Sequence, residues 1–221
     1  MSTLVYVEGI IGAGKSTFVH NISQNVQNIK MVTEPVESWQ RDGILDDFYK
    51  DMKRWALSFQ LNIIHDKTER LNKLCLEKND NNIYMVERSI YSDCCFTNTL
   101  YDSGLLEPFD YKLSNKVRKV YEERMNTLPS LIIYLRPPLE VCMERVKTRN
   151  REEEKNLTPQ YQKTLLKHHD ALFNKDVFTT YNGVRIPIII IHDNEVTQDL
   201  VNKIKSFRGN IDELRYTYVG S

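Results

Sequence analysis

The sequence predicts an α/β fold in which helices cover both faces of a parallel sheet, and three observations lead there. Short β-branched-rich runs recur at residues 4–7, 29–32, 83–86, 131–135 and 188–191. Longer segments with polar–apolar periodicity lie between them. No repeat, low-complexity tract or Gly/Ser-rich linker breaks the alternation. Strands alternating with helices form crossover units, and those crossovers place helices against the sheet. A chain of 221 residues suits one core and is short for two ordinary domains, so residues 1–221 are read as one domain.

In chain order, residues 4–7 are a near-continuous apolar run, as expected of a strand buried on both faces. A helix is predicted over 16–27 and a second strand over 29–32. The helix predicted over 54–78 is long, and Trp55, Leu57, Phe59, Leu61, Ile64, Leu71 and Leu74 supply its apolar face. Residues 83–86 and 131–135 give the third and fourth strands, with a helix over 113–124 between them. Helices over 139–148 and 159–173 precede the fifth strand at 188–191, and a helix over 197–207 follows it. Residues 209–221 are polar, with Tyr216 and Tyr218, and no element is assigned to them.

Composition removes several classes of function. Thirty basic and 30 acidic residues leave no net charge, whereas a binder of nucleic-acid polymers needs a basic excess for its phosphate contacts. No apolar run approaches the roughly 20 residues of a bilayer span. The four cysteines lack CxxC spacing, and His168-His169 has no metal-ligand pattern nearby, so neither a disulfide framework nor a zinc site is expected. The first residues lead straight into the first strand, which points to a cytoplasmic location, or a nuclear one.

After the first strand comes Gly9-Ile10-Ile11-Gly12-Ala13-Gly14-Lys15-Ser16-Thr17, which fits GxxxxGK[ST]. Glycines let backbone N–H groups close around phosphate oxygens, Lys15 adds a point charge, and Ser16 can ligate Mg²⁺. The helix that follows turns its positive end toward the anion. The motif in this setting reads as a nucleoside-triphosphate site. A GTPase would need NKxD, and neither Asn115-Lys116-Val117-Arg118 nor Asn202-Lys203-Ile204-Lys205 supplies the aspartate. A motor ATPase needs a longer chain. A small kinase remains.

The second strand runs into Glu34 and the third into Glu87-Arg88, at the carboxyl edge where open α/β sheets bind ligands. Phosphorylating a hydroxyl needs a base and positive charge around the transferring group. Glu34, Arg88, Lys15 and Mg²⁺ supply both. Arg145 and the run Arg149-Asn150-Arg151-Glu152-Glu153-Glu154 read either as a solvated charged helix end or as an arginine-rich lid at about 145–156.

On these residues the sequence resembles the deoxyribonucleoside kinases of the deoxycytidine/deoxyguanosine kinase type. The shared features are ordered along most of the chain: the phosphate loop; Glu34-Pro35-Val36 with Trp39; Tyr49 before Arg54-Trp55; Phe59-Gln60; Glu87-Arg88-Ser89 through Tyr91-Ser92-Asp93; and the lid residues Arg149, Arg151 and Glu154. The resemblance implies a P-loop kinase fold with a five-stranded parallel sheet, a homodimer, ATP as donor and a deoxynucleoside as acceptor. It implies that Glu34 is the base for the sugar 5′-hydroxyl, paired with Arg88, and that Glu87 helps hold Mg²⁺. Tyr49 and Glu154 would grip the 3′-hydroxyl, Gln60 would read the base edge, and Trp39, Phe59 and Phe96 would enclose the base. Arg145, Arg149 and Arg151 would contact the donor phosphates, and residues 193–197 would pack the donor adenine.

Lys67 and Asp93 bear on which base is taken. In deoxycytidine and deoxyguanosine kinases an arginine–aspartate pair holds the matching positions, and thymidine-accepting relatives have small or apolar residues there. Lys67 follows Gln60 by two helical turns, on the same face. A buried Lys–Asp pair would crowd a 5-methyl group, which favours deoxycytidine and purine deoxynucleosides over thymidine. The rival enzyme is a thymidylate-type nucleoside-monophosphate kinase, which carries an arginine before Glu-Pro where this chain has Thr33. A non-catalytic scaffold of the same fold is the rival of another class, and it would have no need of Lys15, Glu34 and the lid arginines.

Overall fold

The computed structural model describes residues 3–76, 82–125, 128–192 and 197–206. Its elements run β1 (Thr3–Glu8), α1 (Lys15–Asn25), β2 (Ile29–Val32), α2 (Val36–Arg41), α3 (Ile44–Lys50), α4 (Met52–Leu76) and β3 (Ile83–Glu87). Then come α5 (Asp93–Asp102), α6 (Pro108–Glu123), β4 (Leu131–Leu135), α7 (Leu139–Arg149), a 3₁₀ turn (Glu152–Asn156), α8 (Pro159–Phe173), β5 (Val177–Thr179), β6 (Arg185–Ile191) and α9 (Gln198–Ser206).

The sheet order is β2-β3-β1-β4-β6-β5. Its first five strands are parallel, as expected, but a sixth strand is added: β5 pairs antiparallel with β6 at the edge. With only three residues, Val177-Phe178-Thr179, β5 is too short for an alternation to be read. β2 also departs from the expectation of burial on both faces. As the other edge strand it leaves Lys30 and Met31 exposed.

Side chains alternate across the sheet and feed two cores. Val5, Val7, Met85, Ile133 and Leu135 pack on one face, and Leu4, Tyr6, Tyr84, Val86, Ile132 and Tyr134 on the other. Six helices fall where periodicity placed them. The others carry weak signals: α2 and α3 have 6 and 7 residues, and α5 is rich in Cys, Thr and Asn, which are poor helix formers. α6 starts earlier than predicted because Pro108 occupies its first turn, where a missing N–H costs nothing.

The chain passes from β1 to β2, beyond β3 on one side, and the later connection from β3 crosses over β1 to reach β4 on the other. That reversal puts a crevice at the carboxyl end of β1. Register aligns Val7 with Glu87 and Glu8 with Tyr134, so β1, β3 and β4 end together there.

Candidate active site

The loop from Gly9 to Gly14 bridges β1 and α1 at this crevice. Gly12 adopts φ 81°, and a Cβ there would come within 2.3 Å of the Cys142 carbonyl oxygen on α7. Only glycine permits both the turn and the approach. Gln162, fully buried on α8, donates through Nε2 to the Ile11 carbonyl at 2.7 Å, and Arg145 donates to the Ala13 carbonyl at 3.3 Å. A peptide's C=O and N–H point opposite ways, so pinning these carbonyls outward turns the amides of Gly12 and Gly14 the other way. Lys15 folds back onto its own loop, with Nζ 3.0 Å from the carbonyl oxygens of Gly9 and Ile10. Burial and then Arg88 lower its pKa to about 7, against the pull of Glu34, Glu87 and Glu8.

Glu34 and Arg88 form a buried ion pair across the ends of β2 and β3. Arg88 adopts φ 54°, a left-handed conformation that costs a non-glycine residue about 1–2 kcal/mol. It is held there from several sides. Its N–H donates to Val7, its side chain to Glu34, and its guanidinium lies 5.0 Å from the centre of the Phe96 ring. The next residue, Ser89, donates through both N–H and hydroxyl to the buried carboxylate of Glu8. Burial acts to raise the Glu34 pKa, but Arg88, Lys67 and Lys15 outweigh it and hold the carboxyl below its ordinary range. Glu34 is ionised at neutral pH.

Lys67 on α4 and Asp93 on α5 form a second buried pair, and Lys67 also lies 3.8 Å from Glu34. Burial raises the Asp93 pKa to about 6 despite Lys67. Around these charges lies a cavity of about 920 Å³. Gly12, Gly14, Lys15, Ser16 and Thr17 line one end; Trp39, Tyr49, Phe59, Gln60, Lys67, Asp93 and Phe96 line the other; Glu34, Glu87 and Arg88 lie on its wall. Arg145, Arg149, Arg151 and Glu154 close it from the α7 side. Gly9, where a Cβ would meet Leu135 and Ala13, lies outside its lining, as does Ala13. Residues 193–196 of the expected adenine stretch and the 209–221 tail lie outside the described residues.

Support for the aromatic walls is specific. The Trp39 indole donates to Asp66 at 2.7 Å and meets Phe59 edge-on. Thr97 places its hydroxyl 3.5 Å from Gln60 Oε1, which leaves the Gln60 amide nitrogen for the cavity. Where α7 gives way to the 3₁₀ turn, Arg149 contacts both oxygens of the buried Glu154 at 2.7 and 2.6 Å, with Arg151 at 3.5 Å. Asn150 takes a left-handed conformation that ends α7 between them. Phe48 and Tyr161 line the cavity without having been anticipated. Phe48 stacks on Phe59 at 4.2 Å, a contact made across two helices. Tyr161 falls in the first turn of a helix whose periodicity shows only that the residue faces inward.

The chemistry suits a divalent cation beside a triphosphate. Glu87 Oε1 is buried without a hydrogen-bond partner, and Glu87 lines the crevice together with Ser16. One carboxylate and one hydroxyl, completed by phosphate oxygens and water, is a usual Mg²⁺ environment. Among the described residues no cluster of three or more His, Cys, Asp or Glu could hold a metal by itself.

This is the fold of the P-loop kinases, which move a phosphoryl group from a nucleotide to an acceptor. A family model described as deoxynucleoside kinase matches residues 5–213, and the chain belongs to that family of phosphotransferases. It is 31% identical to a fowlpox virus protein named as a probable deoxycytidine kinase, over 94% of this chain and 86% of the relative. It is 29% identical to a mitochondrial deoxyguanosine kinase of Xenopus laevis, over 91% and 88% of the two chains. Human deoxycytidine kinase is 29% identical over 92% of this chain and 90% of its own. Among the described residues no helix is long and apolar enough to cross a membrane.

Proposed function

We propose that the protein phosphorylates the 5′-hydroxyl of deoxyribonucleosides, with ATP as donor and Mg²⁺ as cofactor, and that it prefers deoxycytidine and purine deoxynucleosides to thymidine. The observation that carries this is the position of Glu34, ionised and fixed between Arg88 and Lys67, on the wall of a cavity running from the phosphate loop to Gln60. A nucleoside with its base at Gln60 and Phe96 would direct its 5′-hydroxyl toward this carboxylate. Glu34 accepts the hydroxyl proton as the oxygen bonds to the γ-phosphorus and the bond to the β-phosphate oxygen breaks, releasing ADP. Transfer of this kind is loose, so the proton moves late and a carboxylate of low pKa suffices to orient the hydroxyl. Arg88, Lys15 and the lid arginines supply positive charge to the equatorial oxygens. Mg²⁺, held by Ser16 and Glu87, would neutralise the donor phosphates.

The buried Lys67–Asp93 pair supports the base preference, since a charged pair beside the base would crowd a 5-methyl group. The names of the relatives agree with it. A homodimer and a cytoplasmic location complete the proposal. The test is transfer of label from ATP·Mg²⁺ to each of the four deoxynucleosides and, in parallel, to their 5′-monophosphates, with Glu34→Gln as control. Label on deoxycytidine or a purine deoxynucleoside, lost in the control, is expected. Label on thymidine alone would remove the Lys67–Asp93 argument, and label on monophosphates alone would replace the acceptor class.

A further inference from the structure

Arg70 has no part in the site as described so far. It lies three residues beyond Lys67 on α4 and is half-buried. Three acids act on it through their fields, Glu34, Asp66 and Glu87, and the first two are engaged elsewhere. Glu34 pairs with Arg88 and Lys67, and Asp66 accepts from the Trp39 indole and the Asn62 amide. Among the described residues Arg70 has no ion-pair partner.

Its side chain borders a recess of about 330 Å³ with Thr33, Pro35 and Glu37. Ser16, Glu34, Val36, Glu87 and Arg151 line both this recess and the main cavity, so the two meet at the point of transfer. Glu34 is already neutralised by its two cations, and Glu87 is the carboxylate suited to Mg²⁺. That leaves the guanidinium of Arg70 and that of Arg151, which shares the single carboxylate of Glu154 with Arg149, against the exposed Glu37. Two planar guanidiniums bordering one recess suit an anion with several oxygens. Once transfer is complete, such an anion exists: the new 5′-phosphate stands beside the Glu34 carboxylate and is repelled by it.

We propose that Arg70, together with Arg151, forms a binding site for the phosphate monoester of a deoxynucleoside 5′-monophosphate, the product of the reaction proposed above, on which this inference rests. The site draws the new phosphate away from Glu34 and makes the monophosphate bind more tightly than its parent nucleoside. It also holds the monophosphate where a second donor could act on it.

Calorimetric titration of the full chain with Mg·ADP present tests this, using each deoxynucleoside and its 5′-monophosphate as the probes. Arg70→Gln is expected to weaken monophosphate binding about tenfold or more, the worth of a charge-assisted contact. Nucleoside binding should change less than twofold, which also shows that the variant is folded. Arg70→Lys should restore part of the loss. Equal weakening of both ligands, or of neither, overturns the proposal. If no nucleoside binds or is phosphorylated by the unaltered protein, the function proposed above fails first and this inference with it. Diphosphate formed by the unaltered protein and lost with Arg70→Gln would show that the same site serves an acceptor.

Discussion

Lys67 places its ammonium against Asp93 and also 3.8 Å from Glu34, so the carboxylate at the start of α5 and the carboxylate after β2 share one cation. With Arg88 on the far side of Glu34, the four residues make a continuous row of alternating charge from α5 to β3. Both ends are buried, so each member depends on its neighbours being ionised.

Removing one member should therefore cost more than removing a pair. Lys67→Val alone leaves Asp93 buried without its cation, and about 3–5 kcal/mol of stability is expected to go. Lys67→Val with Asp93→Ala should recover most of that loss in urea unfolding and raise kcat/KM for thymidine. A double variant no more stable than Lys67→Val, with no gain on thymidine, would count against both the pairing and its role in base choice.

Glu34→Gln should lower kcat by about 10² or more while the protein still binds nucleoside, because the amide can orient the hydroxyl but cannot take its proton. Its unfolding temperature should also fall, since Arg88 and Lys67 lose their shared counter-charge. Steady-state kinetics and a thermal scan on one preparation check both.

Lys15 gives a proton-linkage prediction. With its folded pKa at about 7, the free protein holds Lys15 mostly neutral at pH 8, and bound phosphates restore the ammonium. Binding of ATP at pH 8 should take up close to one proton, measured by calorimetry in buffers of different ionisation heat. For stability the sign is the reverse of the usual lysine. The unfolded chain binds more protons between pH 7 and the ordinary lysine pKa, so this contribution rises as pH climbs through that window. Lys15→Met should abolish the uptake.

Glu154 joins Arg149 and Arg151, and Tyr49 lines the same cavity. If Glu154 grips the 3′-hydroxyl, the unaltered protein should turn over 2′,3′-dideoxynucleosides much more slowly than deoxynucleosides. Glu154→Ala should narrow that ratio chiefly by slowing the natural substrate. An unchanged ratio would leave Glu154 as a partner of the arginines alone.

Gln162→Leu keeps the volume of the side chain and removes the donor to the Ile11 carbonyl. The KM for ATP is expected to rise several-fold with the nucleoside KM unchanged, because the freed peptide no longer fixes the Gly12 amide. Equal changes in both would mark Gln162 as a packing residue.

The sequence by itself determined the fold class, the phosphate loop and the gathering of Glu34, Glu87 and Arg88 at one edge of the sheet, while the pairing of Glu34 with Arg88 was what the family resemblance implied. These are local signals. Spaced glycines beside a lysine, apolar runs long enough for a strand, and a carboxylate closing each of two strands all lie within a few residues, and a parallel sheet brings its strand ends to one edge. What the tertiary structure decided rests on contacts between segments far apart in the chain. The edge strand β5 exists only because β6 offers hydrogen bonds to three residues that carry no pattern of their own. Phe48 reaches the cavity through its stack on Phe59, and Gln162 reaches the loop between β1 and α1 from 151 residues away. The link from Lys67 to Glu34, and the open recess under Arg70, depend on how α4 is seated against the ends of β2 and β3. Periodicity shows which face of a helix turns inward, but not which charges it meets there, because burial and ion pairing are fixed by packing in three dimensions.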